Sequence, residues 1–211
     1  MKNIVLIGGM GSGKTTLGTA LKKENPAINP IYMHRYGAGI PLTLIASDSD
    51  LLSLPKADYI ETIFKNGSIE CKKFSRQEMD DIGKKVFDIY GDTILAELIL
   101  RLVIPGVQNV VDNAVRASTV KYLKERGLYI VALNCRFETQ VQRRLHDRKG
   151  IDPENKSLLE EQIKQTNAHF EIDATRGLAD VVYDSDTFGL EYYPAIAKEI
   201  IKATNYRSTK T

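Results

Sequence analysis

Short runs of hydrophobic residues alternate along the chain with longer segments in which hydrophobic residues recur at helical spacing. The runs at residues 3–7, 109–112, 128–133 and 180–183 predict strands, and a further strand is predicted at 27–33 despite its proline. The helical segments cover residues 14–23, 76–90, 93–103, 119–126, 157–170 and 194–203. Continuous apolar runs are typical of strands buried on both faces. Strands of this kind that alternate with helices predict an α/β fold, with a mostly parallel sheet between two helical layers.

Capping residues mark several of the predicted helix boundaries. Ser157 and Glu160 have the spacing of a capping box, in which two side chains satisfy free N–H groups. Asp92 is a favourable N-cap for the helix that comes after it. The next helix is predicted to run from Ser118 to Gly127, because glycine favours the position after a helix.

One long segment departs from this alternation. Glycines, prolines and a polar cluster divide residues 36–73 into short pieces. Irregular inserts of this length in compact domains are often functional, although a surface excursion without a special role is the alternative.

A glycine-rich loop directly follows the first predicted strand. Its residues, which match the pattern G-x-x-x-x-G-K-[ST], are Gly8, Gly9, Met10, Gly11, Ser12, Gly13, Lys14 and Thr15. Such a loop wraps a phosphate with backbone N–H groups, and the following helix directs its positive end at the anion. Lys14 then reaches the β- and γ-phosphates, and the Thr15 hydroxyl ligates Mg²⁺. We therefore expect these residues and Thr16 to bind ATP with Mg²⁺; a glycine-rich turn without a ligand is the alternative.

A second polar pair lies at the end of another predicted strand. Asp112 ends the apolar run, and Arg116 comes four residues later. An acid in this position holds Mg²⁺ directly or through water. The planar guanidinium of Arg116 suits a bidentate grip on an acceptor phosphate. Alternatively, Asp112 caps the next turn and Arg116 is a solvated surface charge.

The glycine loop and the Asp112-x-x-x-Arg116 pair together resemble the nucleoside monophosphate kinases. Adenylate kinases carry Asp-Gly-x-Pro-Arg at this strand end, whereas Asn113 and Val115 replace the glycine and the proline here. The segment 74–122 looks more like nucleotide kinases related to dephospho-CoA kinase.

This resemblance implies a P-loop NTPase three-layer α/β/α sandwich. It implies a single kinase-like domain over residues 1–211, with a mobile acceptor-binding insert at about 34–75 and a short lid at about 136–157. The activity that it implies is an ATP-dependent nucleotide kinase.

The predicted lid is rich in basic residues, with five in residues 136–149 against two acidic ones. In kinases of this type the lid arginines close over the triphosphate and neutralise charge on the transferring group. Arg144 and Arg148 are four residues apart and share a helix face. Spacing alone does not distinguish Arg143 from Arg144. The pattern Arg144-Leu145-x-x-Arg148 resembles the start of the adenylate kinase lid, and this resemblance favours Arg144 as the catalytic partner of Arg148 and Lys14. A solvated basic helix face is the alternative.

The residues after the second predicted strand indicate the class of acceptor. Kinases related to dephospho-CoA kinase place an aspartate there to orient the acceptor hydroxyl, but this chain has Arg35 and no aspartate between residues 33 and 36. A phosphate acceptor needs only cations, which Arg35 and Arg116 supply, so we expect a nucleoside monophosphate-like acceptor. Phosphorylation of a hydroxyl, with Asp48 or Asp50 as the base, remains an alternative, as does an ATPase or a nucleotide sensor.

Other nucleotide-dependent classes lack their signatures. There is no Asn-Lys-x-Asp motif for guanine recognition, and the residue after Asp112 is Asn113 rather than a glutamate that polarises water.

Composition changes this interpretation little. Charged residues make up 27% of the chain and sum to +2, which argues against nucleic acid and anionic membranes as partners. The most hydrophobic stretch, 94–107, is interrupted by two charges and a proline, so no membrane span is expected. Two cysteines and the absence of a signal-peptide pattern fit the cytoplasm. The oligomeric state stays open.

Overall fold

A computed structural model of the chain describes residues 1–32, 88, 91–112, 116–147, 156–169, 171–186 and 189–205. The chain divides into two compact units, one formed by Met1–Ile31 with Val103–Thr211 and the other by Tyr32–Leu102. The predicted insert at 34–75 lies outside the described residues. So does the predicted helix at 76–90, apart from Asp88, which is helical.

Five strands and seven α-helices are described. In chain order they are β1 (Ile4–Gly8), α1 (Lys14–Glu24), β2 (Asn29–Tyr32), α2 (Ile94–Arg101), β3 (Asn109–Asp112), α3 (Ala117–Glu125), β4 (Tyr129–Asn134), α4 (Phe137–Asp147), α5 (Lys156–His169), α6 (Ile172–Arg176), β5 (Val181–Asp184) and α7 (Tyr193–Asn205), with a 3-10 turn at Leu190–Tyr192 before α7. None of these described helices is both long and apolar enough to cross a bilayer.

The strands form one sheet in the order β2-β3-β1-β4-β5. β1 pairs in parallel with β3 and β4, and β4 pairs in parallel with β5. Pro30 lies in β2, which is at the edge of the sheet formed by the described strands, where a missing N–H is tolerated. Since β1 has β3 on one side and β4 on the other, the crevice at its carboxyl end is where open α/β sheets bind ligands.

Helices cover both faces of this sheet. On one face α1 and α7 pack together, and Leu17, Leu21 and Ile200 join Ile4 and Leu6 of β1 in a buried core. On the opposite face α6 contacts β1, and α3 contacts β4. The predicted α/β fold with three layers is therefore confirmed.

Several predicted helix boundaries were wrong by a few residues. Thr93, not Asp92, is the N-cap of α2, and its hydroxyl donates to Glu97 (3.0 Å) instead of capping a backbone N–H. Ser118 and Ser157 lie inside α3 and α5 rather than before them. Short polar side chains fit more than one position of the first turn, so the motif alone places a boundary only to within a few residues.

The predicted end of α3 at Gly127 is confirmed. Gly127 has φ +82°, and its N–H donates to the Lys124 carbonyl at 2.9 Å. The next N–H, of Leu128, donates to the Leu123 carbonyl at 3.2 Å, which completes a Schellman motif.

Candidate functional site

The glycine loop connects the carboxyl end of β1 to the start of α1, as its motif predicts. Gly8, Gly11 and Gly13 have φ values of +146°, +79° and +97°, a region that other L-residues rarely adopt. Each of these glycines is therefore required by the backbone path of the loop. Ser12 is fully buried, and none of the described residues hydrogen bonds to its hydroxyl.

The space around Gly13 is equally restrictive. A Cβ atom there would overlap the hydroxyl of Tyr193, the first residue of α7. Tyr193 is buried, and burial raises the pKa of its hydroxyl. The start of α1 is thus fixed against α7 at the point where the loop enters the helix.

The Lys14 side chain folds back over residues 8–10, which form the first limb of the loop. Its ammonium donates to the carbonyl oxygens of Gly8 (2.7 Å) and Gly9 (2.8 Å). Burial lowers the pKa of Lys14 from 10.5 to about 8; the Asp112 carboxylate opposes this effect, and the Arg144 guanidinium adds to it. A buried cation whose pKa is lowered in this way gains from an anion beside it.

The Thr15 hydroxyl donates to Asp112 Oδ2 at 2.9 Å, so the loop and the end of β3 meet as predicted. Asp112 is 1% exposed. A hydroxyl and a carboxylate oxygen are hard donors that suit Mg²⁺, which binds through one or two protein oxygens and keeps waters and substrate phosphates as its other ligands. The donor set therefore fits the metal that the sequence predicts.

The predicted lid begins with α4, which packs directly on the loop. A Cβ atom on Gly11 would lie 3.3 Å from Arg144 Cγ, so the Arg144 side chain lies over the loop. Arg143 is held differently: its guanidinium donates to the carbonyl oxygens of Gly11 (3.3 Å) and Ser185 (2.6 Å) and to the Ser185 hydroxyl (3.2 Å). These bonds tie α4, the loop and the end of β5 together.

Arg116 lies at the N-cap of α3 with φ 70°, a strained value for a residue with a side chain. Glu171 has φ 49°, and these two are the only residues other than glycine with positive φ in the described part of the chain. The Glu171 side chain also bonds to the residue after Arg116: the N–H of Ala117 donates to Glu171 Oε2 at 2.9 Å. Strain of this kind is often held at functional sites.

The structure thus brings together most of the residues that the motifs predicted. The glycine loop, Lys14, Thr15, Asp112 and Arg144 meet at the carboxyl ends of β1 and β3, and Arg116 begins the helix after β3. Other predicted residues lie outside the described part of the chain, namely Arg35, Asp48, Asp50 and Arg148.

The sequence analysis missed Gln140 and Asn167, which contact the loop. Asn167 accepts a hydrogen bond from the Met10 N–H at 3.2 Å and donates to Gln140 Oε1 at 2.9 Å. Gln140 precedes Arg144 by four residues and so lies on the same face of α4. Helical spacing could therefore have predicted that Gln140 faces the loop. No local pattern points to Asn167, because its backbone partner is 157 residues away.

No protein-family model matches this sequence, and no curated protein matches it either. Several solved structures, however, share its architecture. TT1252 from Thermus thermophilus aligns over 98% of both chains at 14% identity, with a TM-score of 0.56. A gluconokinase from Sinorhizobium meliloti 1021 aligns over 96% of this chain and 93% of its own at 16% identity, with a TM-score of 0.53.

A sugar kinase from Janibacter sp. HTCC2649 gives a TM-score of 0.50 at 17% identity, over 98% of this chain and 99% of its own. The fold of this chain is therefore similar to the folds of a gluconokinase and a sugar kinase. Identities this low establish similarity of fold alone. The activity and the substrate must therefore be inferred from the residues of the site.

Proposed function

We propose that this protein is an ATP- and Mg²⁺-dependent phosphotransferase that transfers the γ-phosphate of ATP to a small-molecule acceptor. The observation that carries the proposal is the meeting of Lys14 with the Thr15–Asp112 pair inside a glycine loop of the required backbone conformation. In the P-loop kinase fold this point lies at the ligand-binding edge of the sheet.

Each residue has a distinct role in the proposed transfer. The loop N–H groups and the Lys14 ammonium hold the phosphates, and Thr15 with Asp112 holds Mg²⁺, which offsets charge on the phosphate oxygens. Arg144 and Arg148 supply further positive charge to the transferring group. The acceptor oxygen forms a bond to the γ-phosphorus while the bond to the β-phosphate oxygen breaks, and ADP leaves.

For the acceptor we favour a nucleoside monophosphate-like molecule, gripped by Arg116 and Arg35. A phosphate acceptor is already anionic and needs cations rather than a general base. The strained backbone of Arg116 at the end of β3 supports a functional role for this residue.

A hydroxyl acceptor is the second candidate. Two proteins that share the fold are named as a gluconokinase and a sugar kinase, and gluconate and sugars both carry hydroxyl groups that can accept a phosphoryl group. Dephospho-CoA likewise offers a hydroxyl group as the acceptor. This candidate requires a base, for which Asp48 and Asp50 are available in the sequence.

The test measures ADP formation from ATP and Mg²⁺ with and without acceptors. The panel contains the common nucleoside monophosphates, dephospho-CoA, gluconate and simple sugars. We expect ADP to form only when one class of acceptor is present, and we expect the Lys14→Ala variant to stay folded but lose transfer. Lys23→Ala, which alters an exposed lysine of α1, is the matched control.

Three results would contradict the proposal. Phosphate release without any acceptor would make the protein an ATPase. Thermal stabilisation by ATP without turnover on the whole panel would make it a sensor. A Lys14→Ala variant with the wild-type rate would show that the loop does not carry the transfer.

A further inference from the structure

Two side-chain amides link the phosphate loop to the end of β4 through a continuous chain of hydrogen bonds. The Met10 N–H donates to Asn167 Oδ1 (3.2 Å), and Asn167 Nδ2 donates to Gln140 Oε1 (2.9 Å). Gln140 Nε2 then donates to the Cys135 carbonyl oxygen (2.7 Å). We call Asn167 and Gln140 the amide bridge.

The backbone groups at the two ends determine how both amides are oriented. Met10 offers a donor, so Asn167 presents its oxygen there and its nitrogen to Gln140. Cys135 offers an acceptor, so Gln140 presents its nitrogen there and its oxygen to Asn167. Because an amide carries both a donor and an acceptor, it can serve at each of the two positions. Hydrogen bonds arranged head to tail in this way also polarise one another.

The bridge is packed tightly against the loop. A Cβ atom on Gly9 would lie 2.9 Å from Asn167 Oδ1 and 3.0 Å from both terminal atoms of Gln140. Gln140 is 5% exposed. Its backbone carbonyl also lies 3.1 Å from the position of a Cβ atom on Gly11. The bridge therefore runs along the first limb of the loop, residues 8–10, at contact distance.

Behind that limb lies a cavity of about 480 Å³, lined by Gly8, Gly9 and Ala132 together with both members of the bridge. Where this limb borders the cavity, the side chains that lie at contact distance from Gly9 are those of the bridge. The hydrogen bond from Met10 is thus a principal constraint on the limb from the side of α4 and α5. A binding site that must hold several N–H groups in one geometry loses affinity when such a constraint is removed.

From this geometry we infer that Asn167, acting with Gln140, is a positioning residue that holds the phosphate loop in its binding conformation. The inference rests on the proposed function only in taking the loop as the phosphate site. It assigns to the two amides no contact with the reacting atoms.

The test measures binding of Mg²⁺–ADP and of Mg²⁺–pyrophosphate by calorimetry to the wild-type protein and to Asn167→Ala, Gln140→Ala and the double variant. We expect each single variant to bind both ligands about tenfold more weakly, the scale of one lost hydrogen bond. The loss should be similar for both ligands because pyrophosphate has no base. The double variant should be little worse than either single one, since the two amides act as a unit.

Exposed amides on the same helices provide matched controls. Gln165→Ala in α5 and Gln142→Ala in α4 should bind both ligands like the wild-type protein. Thermal unfolding checks that all variants are folded.

Unchanged binding by Asn167→Ala would overturn the inference, and so would tighter binding, which would mean that Asn167 competes with phosphate for the Met10 N–H. Losses in the single variants that add up in the double variant would also overturn it. If the wild-type protein binds neither ligand, the proposed function fails as well.

Discussion

At the scale of single residues, the ionisation of Lys14 gives the site a measurable pH dependence. Burial lowers its pKa from 10.5 to about 8. Between these two values the folded chain binds fewer protons than the unfolded chain. Lys14 therefore makes the free energy of unfolding of the nucleotide-free protein rise with pH across this window, by at most about 1.4 kcal/mol per pH unit.

We expect this rise to be absent in Lys14→Met, which keeps the length of the side chain without its charge. The measurement is denaturant unfolding from pH 7.5 to 9.5, with Lys23→Met as the control that keeps the rise. Burial also raises the pKa of the Cys135 thiol, which lowers stability with rising pH in both proteins, so the quantity compared is the difference between their curves. Burial raises the pKa of Tyr183 and Tyr193 as well, which makes stability fall at still higher pH, so the series stops below that range. Parallel curves for the wild-type protein and Lys14→Met would show that the lysine is not buried as described.

At the scale of elements, α4 directs two neighbouring arginines to different tasks. The Arg143 guanidinium donates three hydrogen bonds to Gly11 and Ser185, which is the geometry of a structural clamp. Arg144 lies over the loop and influences the pKa of Lys14, which is the geometry of a group that meets the phosphates. Helical spacing does not separate these two adjacent residues, and in the sequence only the resemblance of Arg144-Leu145-x-x-Arg148 to the adenylate kinase lid favours Arg144.

We therefore expect Arg143→Ala to lower the free energy of unfolding by about 1–3 kcal/mol, because partly buried carbonyl groups of Gly11 and Ser185 lose a donor. Arg144→Ala should cost less stability but slow transfer about a hundredfold or more, as the loss of a charge-stabilising donor does. Chemical denaturation and the transfer rate with saturating ATP separate the two effects. Arg126→Ala removes an exposed arginine that stacks on Tyr122, far from the loop in the sequence, so it should cost at most about 1 kcal/mol of stability and leave the transfer rate unchanged. The reverse pattern would exchange the roles of the two arginines.

How much the sequence predicts at this scale depends on the distance between partners. The loop, β1 and α1 are adjacent in the chain, so one motif and its flanking periodicity predict all three. Asp112 is predicted because it ends an apolar run, and this run forms β3, which pairs with β1. Asn167 is invisible to such reasoning, because its contact with Met10 depends on the packing of α5, and the short helix α6 is also missed, because five residues show no periodicity.

At the scale of the whole molecule, a charge sum of +2 hides an ordered arrangement of charge. The basic segment 136–149 comes after β4 and the acidic segment 171–191 contains β5, and these two strands are neighbours in the sheet. Asp186 accepts bonds from the backbone N–H (2.8 Å) and Nε (3.1 Å) of Arg136. Opposite charges thus pair at the β4–β5 side of the sheet. Lys14 and Asp112 lie near each other at the ends of β1 and β3, the next two strands after β4 in the sheet.

Because ligands that bind only the folded state stabilise it, unfolding of the whole chain tests the proposed metal site. A ligand at 100 times its Kd adds about 2.7 kcal/mol. For wild-type protein at pH 7, ADP with Mg²⁺ should raise the unfolding midpoint by several degrees more than ADP with EDTA.

Asp112→Asn keeps an oxygen that can face the Thr15 hydroxyl, which lies 2.9 Å from Oδ2 in the wild-type protein, but removes the charge that holds the metal. We expect it to lose the extra rise due to Mg²⁺ and to keep the rise due to ADP alone. Glu125→Gln, an exposed acid of α3, is the control that keeps both. An undiminished Mg²⁺ effect in Asp112→Asn would place the metal on other oxygens and leave the buried carboxylate with a structural role in fixing Thr15.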